Sequence, residues 1–270
     1  MLKTRIITAV CLMAVLIPAM FLLPNIWWAV LVGVLALFAL AEWADMIGLK
    51  ATTKLGYLLL GAAIGAYFFR DNFFSLNGGV SWARTIGFWA AVFWCIVAPI
   101  WLYTKMRAPR ALLAGLGLLL VLSLWLGFVW GKIDARNLFV LLSTVWVADS
   151  VAYFFGKNFG KHKLAPYISP GKTWEGVAGA LIGVSLYSIF LQQFDFPVAT
   201  LEFTTMPVFW TVAILGIIGD LFESLIKRQF NLKDSGNCIP GHGGIWDRID
   251  GIVSSLPVVL YLLDAIVLYR

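Results

Sequence analysis

ALLAGLGLLLVLSLWLGFVW, residues 111–130, contains no charged residue. About 20 predominantly apolar residues in a helix are what it takes to cross the hydrocarbon core of a bilayer, so this stretch predicts a transmembrane helix. Working outward, comparable runs precede it at 6–23, 25–42, 55–69 and 85–104 and follow it at 137–156, 174–192, 208–226 and 251–269. The sequence therefore predicts an all-α, polytopic integral membrane protein with about nine transmembrane helices. Composition agrees: 61% of the residues are hydrophobic and 13% charged, against roughly 45–50% and 25% in soluble domains. Such a chain lacks the polar residues to cover its apolar ones, and lipid is its natural solvent. Cys11, Cys95 and Cys238 are far apart, which implies neither a disulfide framework nor a zinc site. Lys3 and Arg5 ahead of the first run imitate a signal peptide. No polar small-residue cleavage region follows before Trp27 and Trp28 open the next run, so the reading is a retained hairpin turning at Pro24 and Asn25.

Charge sets the expected orientation. If the nine runs alternate across the membrane, fifteen of the 20 Lys and Arg residues fall on the side of the N-terminus and five on the other. Basic residues in short loops stay in the cytoplasm, which places the N-terminus there and the C-terminus outside. The net charge of +6 then reflects topology and attraction to anionic membrane lipid; nucleic acid is not an expected partner. Residues 1–136 read as a lipid-facing scaffold of transmembrane helices. Residues 137–270 read as the catalytic region, with loops 157–173 and 227–250 sharing the cytoplasmic side, where nucleotides and Mg2+ are available.

The first loop and its continuation, GKNFGKHKLAPYISPGKTWEG, supply many donors and no carboxylate before Glu175, a composition suited to a polyanion. Gly171, Lys172 and Thr173 imitate the end of a P-loop. However, the earlier glycine of that motif is replaced by Pro166 and no strand is expected before the segment. Ser169 to Thr173 instead read as a turn leading into a helix start, itself a site for phosphate.

In the second cluster, Asp220, Glu223, Ser224 and Lys227 share one face of a helical span. Asp220 lies well inside that span, where an ionised carboxylate is costly unless paired or bound to a cation. Pro240, Gly241, Gly243 and Gly244 let the backbone turn tightly, and Asp247 and Asp250 follow one helical turn apart. Carboxylates of this kind suit Mg2+, which combines one or two of them with phosphate oxygens; Lys227, Arg228, Lys233 and Arg248 would neutralise a triphosphate. Each residue alone also suits a plain loop ion pair, and His242 alone suits a structural donor. The combination carries the reading.

Ser224 to Arg228, Lys233-Asp234 and Ile239 to Asp250 together resemble the signature of the phosphatidate cytidylyltransferases, or CDP-diacylglycerol synthases. Asp149, Tyr153, Gly156, Gly160-Lys161 and Ser169-Pro170-x-Lys172-Thr173-x-Glu175-Gly176 extend the resemblance over about 145–251. Gly171 departs from it, since the family commonly has lysine there. The resemblance implies transfer of CMP from CTP to phosphatidic acid, giving CDP-diacylglycerol and pyrophosphate with Mg2+ and room for a second cation. It assigns Asp220 and Asp247 to the metal, with Asp250 beside them as a further acid. Lys227, Arg228 and Lys233 would hold phosphates. Ser169, Lys172 and Thr173 would line the nucleotide or lipid-phosphate site, with Ser224, His242 and Arg248 among the substrate contacts. The implied setting is a bacterial plasma membrane with the site facing the cytoplasm, and a homodimer is admitted as the assembly. Two other classes fit part of the pattern. A CTP-dependent kinase of a polyprenol-type alcohol would need His242 or Asp234 as base. An ion-coupled transporter would use Asp149 and Asp220, although transport predicts charges at all depths and here they crowd one face.

Overall fold

A computed structural model of the chain describes residues 2–74, 78–193, 205–238 and 243–268. Among them the order is α1 (Leu2–Leu22), α2 (Asn25–Met46), α3 (Ala51–Phe74), α4 (Gly78–Val92), a π-turn (Phe93–Val97), α5 (Ala98–Thr104), α6 (Arg110–Gly131), a 3-10 turn (Lys132–Asp134) and α7 (Ala135–Phe159). There follow β1 (Lys163–Ala165), β2 (Ser169–Thr173), α8 (Trp174–Gln193), α9 (Thr205–Gln229) and α10 (Trp246–Leu268).

Local chemistry sets these boundaries. Pro24, at φ −55 and ψ 150, separates α1 from α2. Lys105 in the left-handed region (φ 52) ends α5, and Pro109 stands before α6. Asp134 leaves helical geometry at φ −122 and ψ 88, and its carboxylate accepts the N–H groups of Arg136 and Asn137. That cap starts a new helix in the middle of an apolar stretch.

Among the described residues the expected runs fall within helical segments, without nine separate crossings being shown. Among the described residues six helical stretches are long and apolar enough to cross a membrane: Asn25–Met46, Ala51–Arg70, Arg84–Thr104, Arg110–Phe159, Trp174–Gln193 and Met206–Gln229. Arg110–Phe159 has 50 residues and is broken at Asp134 into α6 and α7. Val10–Leu22 is apolar but shorter, and α10 carries Asp247, Asp250, Asp264 and Pro257. The chain is thus an all-α membrane protein with one amendment. β1 and β2 form an antiparallel hairpin, with Lys163 opposite Thr173 and Ala165 opposite Ser169. A strand therefore does precede the Gly171-Lys172-Thr173 segment, contrary to expectation, because backbone pairing overrides a short run that reads as a turn. Pro166 still stands where a P-loop needs glycine.

α9 shows how packing serves the site. Its apolar face carries Phe222, whose ring meets Phe93, Trp94 and Trp101 edge-on with centroids 5.2, 5.6 and 5.5 Å away. The π-turn and α5 thus grip α9 from one side. The opposite face carries Asp220, Glu223, Ser224 and Lys227. Glycines let α9 and α10 approach closely: a side chain on Gly219 would run into the Asp250 carbonyl and Ser254. α7 and α8 meet in the same way, since a side chain on Gly179 would collide with Phe155 and one on Gly183 with Val151.

Candidate active site

The two polar clusters of the sequence converge on α9. From the hairpin, Lys172 Nζ reaches the Asp220 carboxylate at 2.6 Å. Asp220 also accepts from the Ser224 hydroxyl, one turn on, at 3.4 Å. Asp250 on α10 lies within electrostatic reach of Asp220, Asp149 and Lys172, and Asp149 on α7 within reach of Lys172, Asp220 and Arg248. Four elements therefore bring charge to one place: α7, β2, α9 and α10.

A second group sits beside it. Lys227, almost wholly buried, donates to Glu223 Oε2 at 2.7 Å and to Asp247 Oδ1 at 2.6 Å. Asp247 Oδ2 accepts the backbone N–H groups of Ser235 and Gly244 at 3.0 and 2.9 Å. The 233–238 segment is thereby tied to the first turn of α10. Gly243 at φ +82 supports the bend, and a β-carbon there would run 2.6 Å from Asp247 Oδ2. Glu223 is buried and its Oε1 has no hydrogen-bond partner among the described residues, of which Lys227 alone is its cation partner.

The remaining expected residues divide. Ser169 and Lys172 lie on β2. Thr173, at its end, accepts the Gly176 N–H at 3.1 Å, so its hydroxyl caps α8. Arg228 is exposed and donates to the Leu232 carbonyl at 2.9 Å, closing the end of α9. Lys233 and Arg248 are exposed, with Arg248 acting on Asp149. His242 lies outside the described residues. Glu223 and Asp149, which the sequence placed in these clusters without a site role, join the charged groups, and the geometry adds Glu42 from α2. Glu42 is 3% exposed and accepts from Ser235, Ile245 and Trp246. The one signal for it in the sequence is an acid closing an apolar run, a position where carboxylates are costly.

The donor set suits Mg2+. Asp149 and Asp250 both lie within electrostatic reach of Asp220, and a cation among them would offset neighbouring carboxylates. Among the described residues no group of three or more acid, histidine or cysteine side chains is placed to hold a metal ion by itself.

A family model described as the cytidylyltransferase family matches residues 3–266. A phosphatidate cytidylyltransferase of Pseudomonas aeruginosa is 34% identical over 276 residues, covering 98% of both chains. Its counterpart in Haemophilus influenzae is 34% identical over 287 residues, covering 97% of this chain and 98% of its own. The phosphatidate cytidylyltransferase of Thermotoga maritima is 40% identical over 146 residues, 52% of this chain and 54% of its own.

Proposed function

The chain belongs to the cytidylyltransferase family, and from that premise we infer that it is a membrane nucleotidyltransferase that transfers CMP from CTP to phosphatidic acid. The products are CDP-diacylglycerol, a precursor in phospholipid synthesis, and pyrophosphate. The observation that carries the site is the 2.6 Å pair between Lys172 and Asp220, because it joins the two polar clusters into a single charged surface.

The reaction asks little of a general base. An oxygen of the phosphatidate phosphate forms a bond to the α-phosphorus of CTP while the bond from that phosphorus to the oxygen bridging to the β-phosphorus breaks. Pyrophosphate leaves with the bond's electron pair. The nucleophile is already anionic, so catalysis becomes positioning and neutralisation of two anions brought together. Lys172 and Lys227 are the partly and fully sheltered cations of the site, and Arg228, Lys233 and Arg248 are the exposed ones that would receive the triphosphate. Asp220, with Asp250 and Asp149 within electrostatic reach, would hold Mg2+, and Asp247 would join them only by giving up part of its bonding to Lys227, Ser235 and Gly244. When bound, that ion would offset the charge between carboxylates and phosphate oxygens. Asp220 orients Lys172, and Asp247 orients Lys227, so both lysines are presented in fixed positions.

For the membrane arrangement, we propose nine crossings with the N-terminus and the site on the cytoplasmic side of a bacterial plasma membrane. The bias of basic residues between alternate loops supports this. A homodimer stays an expectation of the sequence, with particle mass in detergent as its test.

Purified protein given CTP labelled at the α-phosphate, with phosphatidic acid and Mg2+, tests the reaction. Label entering lipid together with pyrophosphate release supports CMP transfer, and EDTA should stop both. Lipid labelled only by CTP carrying γ-label would make the protein a kinase instead.

A further inference from the structure

Glu42 belongs to α2, outside the region that carries the signature residues, yet it is bonded to that region at three points. Its Oε1 accepts from the Ser235 hydroxyl at 2.6 Å and from the Trp246 N–H at 2.9 Å; its Oε2 accepts from the Ile245 N–H at 2.8 Å. The last two donors lie at the start of α10, where a negative charge is favoured by the helix dipole. A carboxylate this deeply buried is tolerable only when its oxygens are so satisfied.

The surroundings are shaped around it. A β-carbon on Gly236 would sit 2.7 Å from Glu42 Oε2, and one on Gly244 would collide with Glu42 Oε1 and Ser235. Two glycines of the loop thus leave the space that this side chain fills. One turn back on α2, the Ala39 carbonyl accepts from Trp246 Nε1 at 2.7 Å, and the Trp43 and Trp246 rings lie 4.6 Å apart.

The chain of bonds continues to the charged groups. The Ser235 hydroxyl that Glu42 holds accepts the Asp247 N–H at 3.3 Å, and the Ser235 N–H donates to Asp247 Oδ2 at 3.0 Å. Asp247 Oδ1 then takes Lys227. We propose that Glu42 is a positioning residue for the Asp247–Lys227 part of the site, which adjoins Arg228, Lys233 and Arg248, the cations proposed to receive the CTP triphosphate: it fixes Ser235 and the first turn of α10, and through them the Asp247–Lys227 pair. This rests on the cytidylyltransferase reading for its kinetic consequence but not for its structural one. A glutamine in its place has a single acceptor oxygen, and its amide would face one of the three donors.

Two measurements on the full-length protein test the assignment. Hydrogen exchange at the amides of Ile245, Trp246 and Asp247 needs no substrate. Glu42→Gln should speed it at least tenfold while leaving α7 and α8 at their parent rates; unchanged exchange at the three amides would overturn the tether. In kinetics, Glu42→Gln should lower kcat/KM for CTP by about 10- to 100-fold, the loss usual for an outer partner of a site residue. The KM for phosphatidic acid should stay within about twofold, and Glu42→Asp should recover part of the loss. Equal losses toward both substrates would overturn positioning in favour of a general structural role. Should Glu42→Gln fail to fold, Ser235→Ala removes the shared hydroxyl alone and must show the same selective loss toward CTP, or the proposal fails. A parent protein without CTP turnover would overturn the functional reading while leaving the exchange result to decide the tether.

Discussion

Lys227 is the residue whose loss the fold should tolerate least. Its ammonium lies between Glu223 and Asp247, at 2.7 and 2.6 Å, and the three side chains are 9, 3 and 11% exposed. Lys227→Met would leave two sheltered carboxylates without their cation, and removing one partner of a buried pair costs about 3–5 kcal/mol. We expect the variant to lose thermal stability on that scale and CMP transfer altogether. Glu223→Gln should be far milder, because it removes a charge whose Oε1 has no partner among the described residues and leaves Asp247 on Lys227; comparing the two unfolding midpoints in detergent checks the contrast. The pairing of Glu223 with Lys227 is legible in the sequence, since four residues along a helix restore the same face. The pairing of Lys172 with Asp220 is not. It joins a hairpin to a helix from another part of the chain, and periodicity says nothing about tertiary approach. Glu42 is hidden for the same reason, 193 residues from the serine it holds.

Among elements, the contact of α9 with α10 matters most, because it sets Asp220 against Asp250. Gly219→Ala would drive a methyl group into the Asp250 carbonyl and Ser254. Overpacking of this kind costs typically about 1–3 kcal/mol, and here it should also cut turnover by displacing both acids. Gly115 on α6 is the control: a β-carbon there meets nothing within 4 Å among the described residues. Gly115→Ala should be neutral or stabilising by up to about 1 kcal/mol through helix propensity, with full activity. Thr173→Ala should lower stability by about 1 kcal/mol through loss of the α8 cap, and Thr173→Ser should restore it. Helix positions were legible because apolar runs bounded by proline, glycine and charge leave few alternatives in lipid. The hairpin was not, because β1 and β2 together span only Lys163–Ala165 and Ser169–Thr173, and Pro166, Pro170 and Gly171 read as turn residues.

At the scale of the molecule, topology decides which solvent the site meets. Cys238 is exposed in the segment between α9 and α10, on the side proposed to be cytoplasmic. In a variant lacking Cys11 and Cys95, a membrane-impermeant maleimide should label Cys238 in inside-out vesicles and not in right-side-out ones; the reverse pattern would invert the proposed orientation. The central claim is that the hairpin cluster and the α9–α10 cluster form one site, through the 2.6 Å contact of Lys172 with Asp220. A double-mutant cycle on CMP transfer tests it most directly, because residues acting as one unit lose far less together than the product of their separate losses. Lys172→Met and Asp220→Asn should each lower kcat by at least about 100-fold, the scale seen when a preorganised electrostatic group is removed. If the clusters form one site, the double variant should be about as active as the worse single variant. Losses that multiply would mean that the two residues act independently, and would contradict the single site.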